Sequence, residues 1–336
     1  MSFVAVPGLI GPLIGPTLGG WLVQAASWHW IFLINVPVGI AGVVLTAIYM
    51  PDSRNAGVGR FDMVGYLMLS LGMVALSFSL DGLTDLGFER ATVLLLLVFA
   101  FALIIGYGLH AQRRPDPLFP LALFRVHTYT VGLLGNLFAR IGSGAMPFLI
   151  PLLLQVGLGR TPVEAGMMML PVAAMAMTAK RVVTRLITRH GYRRFLVVNT
   201  LVLGCLQASF AAAPGLPLPA LIGLLGCYGA VNSFQFTAMN TVTLRDLDAG
   251  GAGSGNSLFS MVQMLSMSLG VTVAGALLGV FSGYFGAPAP AGVEAVRAFQ
   301  ATFVCIGVIT CISASIFWHL APQIKDASGT GDAGEA

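Results

Sequence analysis

Charge is what this 336-residue sequence has least of: 9% of its residues are Asp, Glu, Lys or Arg, 57% are hydrophobic, and nothing ahead of Asp52 carries a charged side chain. A water-soluble domain has roughly 25% charged residues and under half apolar ones, so lipid rather than water is the expected solvent. Cysteine is scarce too. Cys205, Cys227, Cys305 and Cys311 all lie inside apolar runs without CxxC spacing, which reads as small core residues and implies neither a disulfide framework nor a metal site. The first residues show no basic segment and no small-residue cleavage site, so they read as leaderless. No HExxH, Gly-Lys-Ser/Thr, paired-Asp loop or Ser/His/Asp grouping is present, which argues against an enzyme. No filter-like loop or ring of charge suggests a channel.

What the sequence does have is long apolar runs. A hydrocarbon layer about 30 Å thick needs roughly 20 apolar residues per helix. That ruler predicts spans near 3–25, 30–49, 62–80, 91–110, 129–153, 163–183, 195–213, 220–242, 256–281 and 299–320. Helices are required because each segment must satisfy its own backbone hydrogen bonds in lipid, and runs such as 91–106 lack the alternation of a barrel strand. The fold class is therefore all-α, a polytopic membrane protein with about ten crossings.

Basic residues orient it. Arg54, Arg60, Arg113, Arg114, Arg125, Lys180, Arg181, Arg185, Arg189, Arg193, Arg194, Arg245 and Lys325 fall in alternate loops, whereas the opposite loops hold Arg90, Arg160 and Arg297. Thirteen against three is a positive-inside bias that puts the first set, and both termini, in the cytosol. The formal net charge of +4 is thus a topology signal, not a nucleic-acid one. The tail from 321 to 336 is small and polar and is expected to be disordered. Residues 118–124 are expected along the membrane interface.

The first run is the most informative. Gly11, Gly15 and Gly19 recur every four residues, interleaved with Pro12 and Pro16 and followed by Gly20. Such a stripe lets another helix approach closely, while the prolines bend the helix. Gly11-Pro12 followed by Gly15-Pro16-x-x-Gly19-Gly20 resembles the fifth-helix antiporter motif of the major facilitator superfamily. Residues 28–39 (WHWIFLINVPVG) are similar to fourteen-helix drug/proton antiporters of the EmrB/QacA type. Arg60-Phe61-Asp62, Gly142-Ser143-Gly144, Gly191-Tyr192-Arg193-Arg194, Met239–Leu244 and Ser254–Leu258 extend the likeness, which runs from about residue 3 to 320.

The resemblance implies a division of the chain. Residues 1–50 would be the last two helices of an N-terminal half, 51–128 two linker helices with a cytoplasmic loop, and 129–320 a six-helix C-terminal half. A full member has four more helices ahead of residue 1, carrying a basic motif and the positions linked to proton coupling; Ser2 also stands where the antiporter motif begins with Gly. The implied activity of the full-length form is proton-coupled multidrug efflux by alternating access in a bacterial inner membrane. Its partners would be lipid, a small apolar or amphipathic substrate and no nucleic acid. A non-transporting fragment needing the missing helices in trans, and a permease for another solute, are the alternatives. No cofactor or metal is implied beyond the proton gradient of the full-length form.

Polar groups inside the runs are the candidate site. No Asp or Glu lies near the middle of a span. Arg140 does, at an insertion cost of about 2.5–3.5 kcal/mol, so it should face a cavity or a partner. Asn136 lies one turn before it and Gly144 one turn after. Asn232, Gln235 and Gln263 are further cavity candidates, whereas Asn199 and Gln207 read as interhelical hydrogen bonds. Lys180, Arg181, Arg185, Arg189, Gly191, Arg193 and Arg194 resemble the second-half copy of the family's cytoplasmic basic motif without its Asp; contact with anionic lipid explains them equally well. Gly270, Gly275 and Gly279 are the positional counterparts of the first glycine stripe, as a repeat predicts.

Overall fold

The computed structural model describes residues 15, 18–49, 61–82, 90–247, 251–286 and 293–319. Gly11, Pro12 and Pro16 of the first motif lie outside the described residues, as does the 321–336 tail. Among the described residues every regular element is helical: α1 (18–25), α2 (His29–Leu33), α3 (Asn35–Tyr49), α4 (Met63–Gly82), α5 (Arg90–Arg113), α6 (His127–Leu152), α7 (Pro162–Met168), α8 (Leu170–His190), α9 (Tyr192–Ser209), α10 (Leu218–Leu244), α11 (Ala252–Tyr284) and α12 (Val293–Phe317).

Seven helices among these residues are long and apolar enough to cross a membrane, and the apolar part of α4, Met63–Ser79, is shorter. Three of the ten expected crossings are not in this tally. Most of the first run lies outside the described residues. Helix α10 spans 27 residues without a charge, but Asn232, Gln235 and Asn240 dilute its hydropathy.

Local chemistry sets the breaks. Helix α6 carries Pro147 and Pro151 and ends in a wider turn, Leu153–Gly157, where Leu158 N–H donates to Leu153 C=O at 2.9 Å. A capping box then restarts the chain: Thr161 Oγ accepts from Glu164 N–H at 3.2 Å, and Glu164 Oε2 accepts from Thr161 N–H at 2.9 Å, with Pro162 at the first helical position. Glu164 is thereby a cap. The expected span 163–183 consequently appears as α7 and α8, and α8 runs on to His190 because its basic end stays amphipathic. Gly191, at φ 76°, makes the turn into α9 in a region that disfavours side chains. Residues 121–125 form a 3-10 turn in which Leu123 is buried while Leu121 and Phe124 stay exposed.

The bundle is built on three helix pairs: α6 with α11, α8 with α10, and α9 with α12. Exchanging the triplet α6-α8-α9 with α10-α11-α12 leaves that pairing unchanged. Because successive spans alternate in direction, the two triplets run oppositely, as in an inverted repeat. Each pair closes on glycine. A side chain at Gly144 would strike Met267 Cα at 2.8 Å, and one at Gly270 would strike Ala145 N at 2.8 Å. Gly229 meets Val172 Cα at 2.7 Å, and Gly204 meets the Gly307 carbonyl at 2.7 Å. Close backbone approach replaces the hydrophobic drive that lipid does not supply. The outer faces are apolar: Leu95, Val98, Val280 and Ile312 are each 65–70% exposed.

Candidate functional site

Two stripes face each other across α6 and α10. On α6, Asn136 and Arg140 are one turn apart; on α10, Asn232, Phe236 and Asn240 follow at four-residue spacing. Arg140 is 6% exposed and Asn136 fully buried. The Arg140 Nε donates to Asn136 Oδ1, a second guanidinium nitrogen donates to Asn240 Oδ1 at 3.3 Å, and the guanidinium carbon lies 4.3 Å from the Phe236 ring centre. Among the described residues no carboxylate pairs with Arg140. Asn136 Nδ2 is buried without a partner. The cluster is therefore a buried cation with donors to spare and an aromatic wall. Neither Phe236 nor the contact of Asn240 with Arg140 was expected at this site, although Phe236 and Asn240 stand four and eight residues after Asn232, a usable signal.

Gln235 belongs elsewhere. It is 2% exposed and joins an interhelical network: Asn199 Nδ2 donates to Gln235 Oε1 at 2.7 Å, and Gln235 Nε2 donates to Thr200 Oγ1 at 2.8 Å and to Met239 Sδ at 3.3 Å. The cavity expectation for Gln235 is corrected accordingly. Asn240 and Phe236 meet Arg140 of α6, whereas Gln235 points to α9. Gln207 likewise accepts from Thr310 Oγ1 at 2.6 Å between α9 and α12; its Nε2 is unpaired but enclosed beside Gly142. Asn232 is half-buried on α10, in register with Phe236 and Asn240, and Gln263 is half-buried on α11; both lie outside the Arg140 hydrogen bonds.

The glycine stripes divide. Among the described residues nothing lies within 4 Å of where Cβ atoms of Gly15 and Gly19 would sit, whereas Gly20 lies against the Pro162 carbonyl, 2.5 Å from such a Cβ. In α11, Gly270 makes the close crossing, and Gly275 and Gly279 face open space. So Gly270 makes the contact that its whole stripe was expected to make, whereas in the first run the close approach falls to Gly20, beside the described stripe glycines.

The basic motif occupies the end of α8, the Gly191 turn and the start of α9. Lys180 and Arg181 lie within α8; Arg185, Arg189 and Arg194 are exposed, and the Arg193 guanidinium lies 4.9 Å from the Trp318 ring centre of α12. Neighbouring helix ends meet there. His127 Nε2 bonds the His319 carbonyl at 3.1 Å, Thr128 donates to Asp246 at 2.8 Å, and Tyr129 donates to the Gly255 carbonyl at 2.9 Å.

A further charged group was not anticipated as a site. Asp62, ahead of α4, is 2% exposed and accepts from Gly65 N–H at 3.0 Å and Leu118 N–H at 3.3 Å. It pairs with His110 at 3.0 Å and Arg114 at 3.6 Å. Burial raises its carboxyl pKa, but the bonds from Gly65, His110 and Leu118 outweigh burial and hold it below the usual carboxylate range. Tyr107 OH adds a clasp, accepting from Phe119 N–H at 2.6 Å. Together they tie the α4–α5 hairpin to the connector ahead of α6. The Asp-x-x-Gly spacing at the start of a span was the legible signal.

A helical bundle of oppositely running triplets, with a buried cation between two of its helices that no described carboxylate pairs, fits a class, the multi-pass membrane transporters. The chain belongs to the major facilitator superfamily, whose family model matches residues 1–271. It is similar to multidrug resistance protein MdtD of Serratia proteamaculans, at 45% identity over 94% of this chain and 66% of that protein. MdtD of Pectobacterium atrosepticum is 44% identical over 96% of this chain and 69% of that protein, and MdtD of Salmonella heidelberg 46% over 94% and 67%. The chain thus spans about two thirds of the length of the relatives it matches.

Proposed function

We propose that this chain forms the ten-helix part of a drug/proton antiporter that exports small apolar or amphipathic compounds by alternating access, and that it is not an enzyme. The observation that carries the reading is Arg140: a buried guanidinium near mid-span, held by Asn136 and Asn240, with an unpaired Asn136 amide beside it. Unspent donors in a low-dielectric setting favour a substrate that brings an acceptor, while Phe236 and half-buried Asn232 supply its adaptable wall. The Arg-bearing ends that meet around Arg193, Asp246 and His127 support a cytosolic placement of that side, with the helices in a bacterial inner membrane and both termini in the cytosol.

Proton coupling is assigned to the part of the relatives that this chain does not span, because no carboxylate lies at mid-span here. Proteoliposomes holding only the 336-residue chain should show no dye efflux under an imposed proton gradient; efflux there would refute that assignment. In the transporting form, Arg140→Ala should abolish most export while the protein still inserts and stays monodisperse. Unchanged export would end the substrate-contact reading.

A further inference from the structure

The outer face of α9 and α12 carries a groove apart from the Arg140 cluster. It has a volume of about 500 Å³, with Val197, Leu201, Cys311, Ala314 and Trp318 among its walls. Its few polar side chains are turned to their own backbone surroundings: Ser315 donates to the Ile312 carbonyl at 2.8 Å and Cys311 Sγ to the Leu201 carbonyl at 3.7 Å. The cavity wall is thus hydrocarbon in character. At one end the groove meets a basic rim. Trp318 is 62% exposed, Arg193 lies 4.9 Å over its ring, Arg194 is exposed, and His319 closes the end. Asp246, the carboxylate of the neighbouring α10 end, is engaged by Thr128 at 2.8 Å and Arg245 at 3.8 Å, so its charge is directed to those groups.

We infer that this groove is a binding site for an anionic glycerophospholipid, with one acyl chain along Val197, Leu201 and Ala314 and the phosphate against Arg193. From Arg193 to Leu201 the helix rises about 12 Å, enough for the first half of an acyl chain. An interfacial Trp beside an Arg is the pattern that marks a headgroup level, and basic pockets between helix ends select anionic lipid. The leaflet follows from the orientation proposed above; the site itself does not depend on it.

The test uses the full 336-residue chain in neutral detergent micelles. Brominated-tail phosphatidylglycerol and brominated-tail phosphatidylcholine are titrated separately, and quenching of Trp318 is taken as the part lost in Trp318→Phe. Phosphatidylglycerol should reach half-quenching at roughly five-fold lower mole fraction than phosphatidylcholine. Arg193→Gln should erase that preference while both lipids still quench, and Ala314→Leu should weaken both by filling the groove. Tail-free glycerol phosphate should displace neither. Equal half-quenching by the two lipids in the unmodified chain overturns the inference, as does a preference that survives Arg193→Gln. Displacement by glycerol phosphate would mean a headgroup site without the groove and overturns it too. If a variant does not stay monodisperse, the comparison of the two lipids on the unmodified chain decides alone.

Discussion

Two amide-bearing clusters in this bundle are made of the same residue types and do different things. Around Gln235, Asn199 and Thr200 complete a ring of donors and acceptors between α9 and α10. Around Arg140, Asn136 and Asn240 hold a charge and leave a donor over. Polarity inside a span therefore does not mark a site, and neither does a spare donor alone, since Gln207 keeps one too; a buried charge with a spare donor beside it does. A satisfied amide ring stabilises a helix contact, whereas a buried cation without a described counter-charge is expensive and persists for a reason outside the helix pair.

The widest gap between the clusters should appear in transport. Replacing Arg140 by Ala should lower export in the transporting form by roughly ten-fold or more, the loss of a charge-assisted hydrogen bond worth about 1.5–3 kcal/mol. Gln235→Leu should leave export per folded molecule unchanged. Dye export normalised to membrane-inserted protein checks both, and a larger transport defect in Gln235→Leu would reverse the assignment.

Next comes the crossing that holds α6 in place for Arg140. Gly270→Leu forces α11 away from the Ile141 and Ala145 backbone. It should destabilise the bundle by about 1–3 kcal/mol, read as thermal unfolding in micelles. Gly275→Leu, with open space at that position, should change little. Equal effects would mean that the stripe, rather than the single crossing, packs.

These contrasts show where sequence reasoning reached and where it stopped. Apolar length located helix α5 at Arg90–Arg113 against an expected 91–110, and α6 at His127–Leu152 against 129–153. Hydrophobicity is a sum over a window, so it is legible from one strand of text. The Gly191 turn was legible because the basic stretch 180–194 interrupts two apolar runs. Helical periodicity placed Asn232 and Gln235 on one broad arc, but which neighbour each meets depends on two other helices, and no spacing rule encodes that. Asp62 was passed over for the same reason: its partners, His110, Arg114 and Leu118, are about 50 residues away along the chain.

The Asp62 clasp lies apart from both clusters and serves as their control. Its depressed carboxyl pKa stabilises the folded form above the ordinary carboxylate range, and that contribution is lost as pH falls through the folded value, below about pH 4. A spin label at Asp116→Cys should be immobile near neutrality and loosen below about pH 4. Asp62→Asn should loosen it near neutrality without altering export. The smallest effect belongs to the closed ring: Gln235→Leu should lower stability by about 0.6–2 kcal/mol, measured by unfolding in micelles.

Thiol labelling in a background without native cysteines tests the distinction between the two clusters at its source. A hydrophilic maleimide should label Asn232→Cys and Asn240→Cys in membranes and leave Gln235→Cys unreacted, with excess substrate slowing the first two. Equal labelling at all three positions, or labelling of Gln235→Cys alone, would contradict the placement of the cavity beside Arg140.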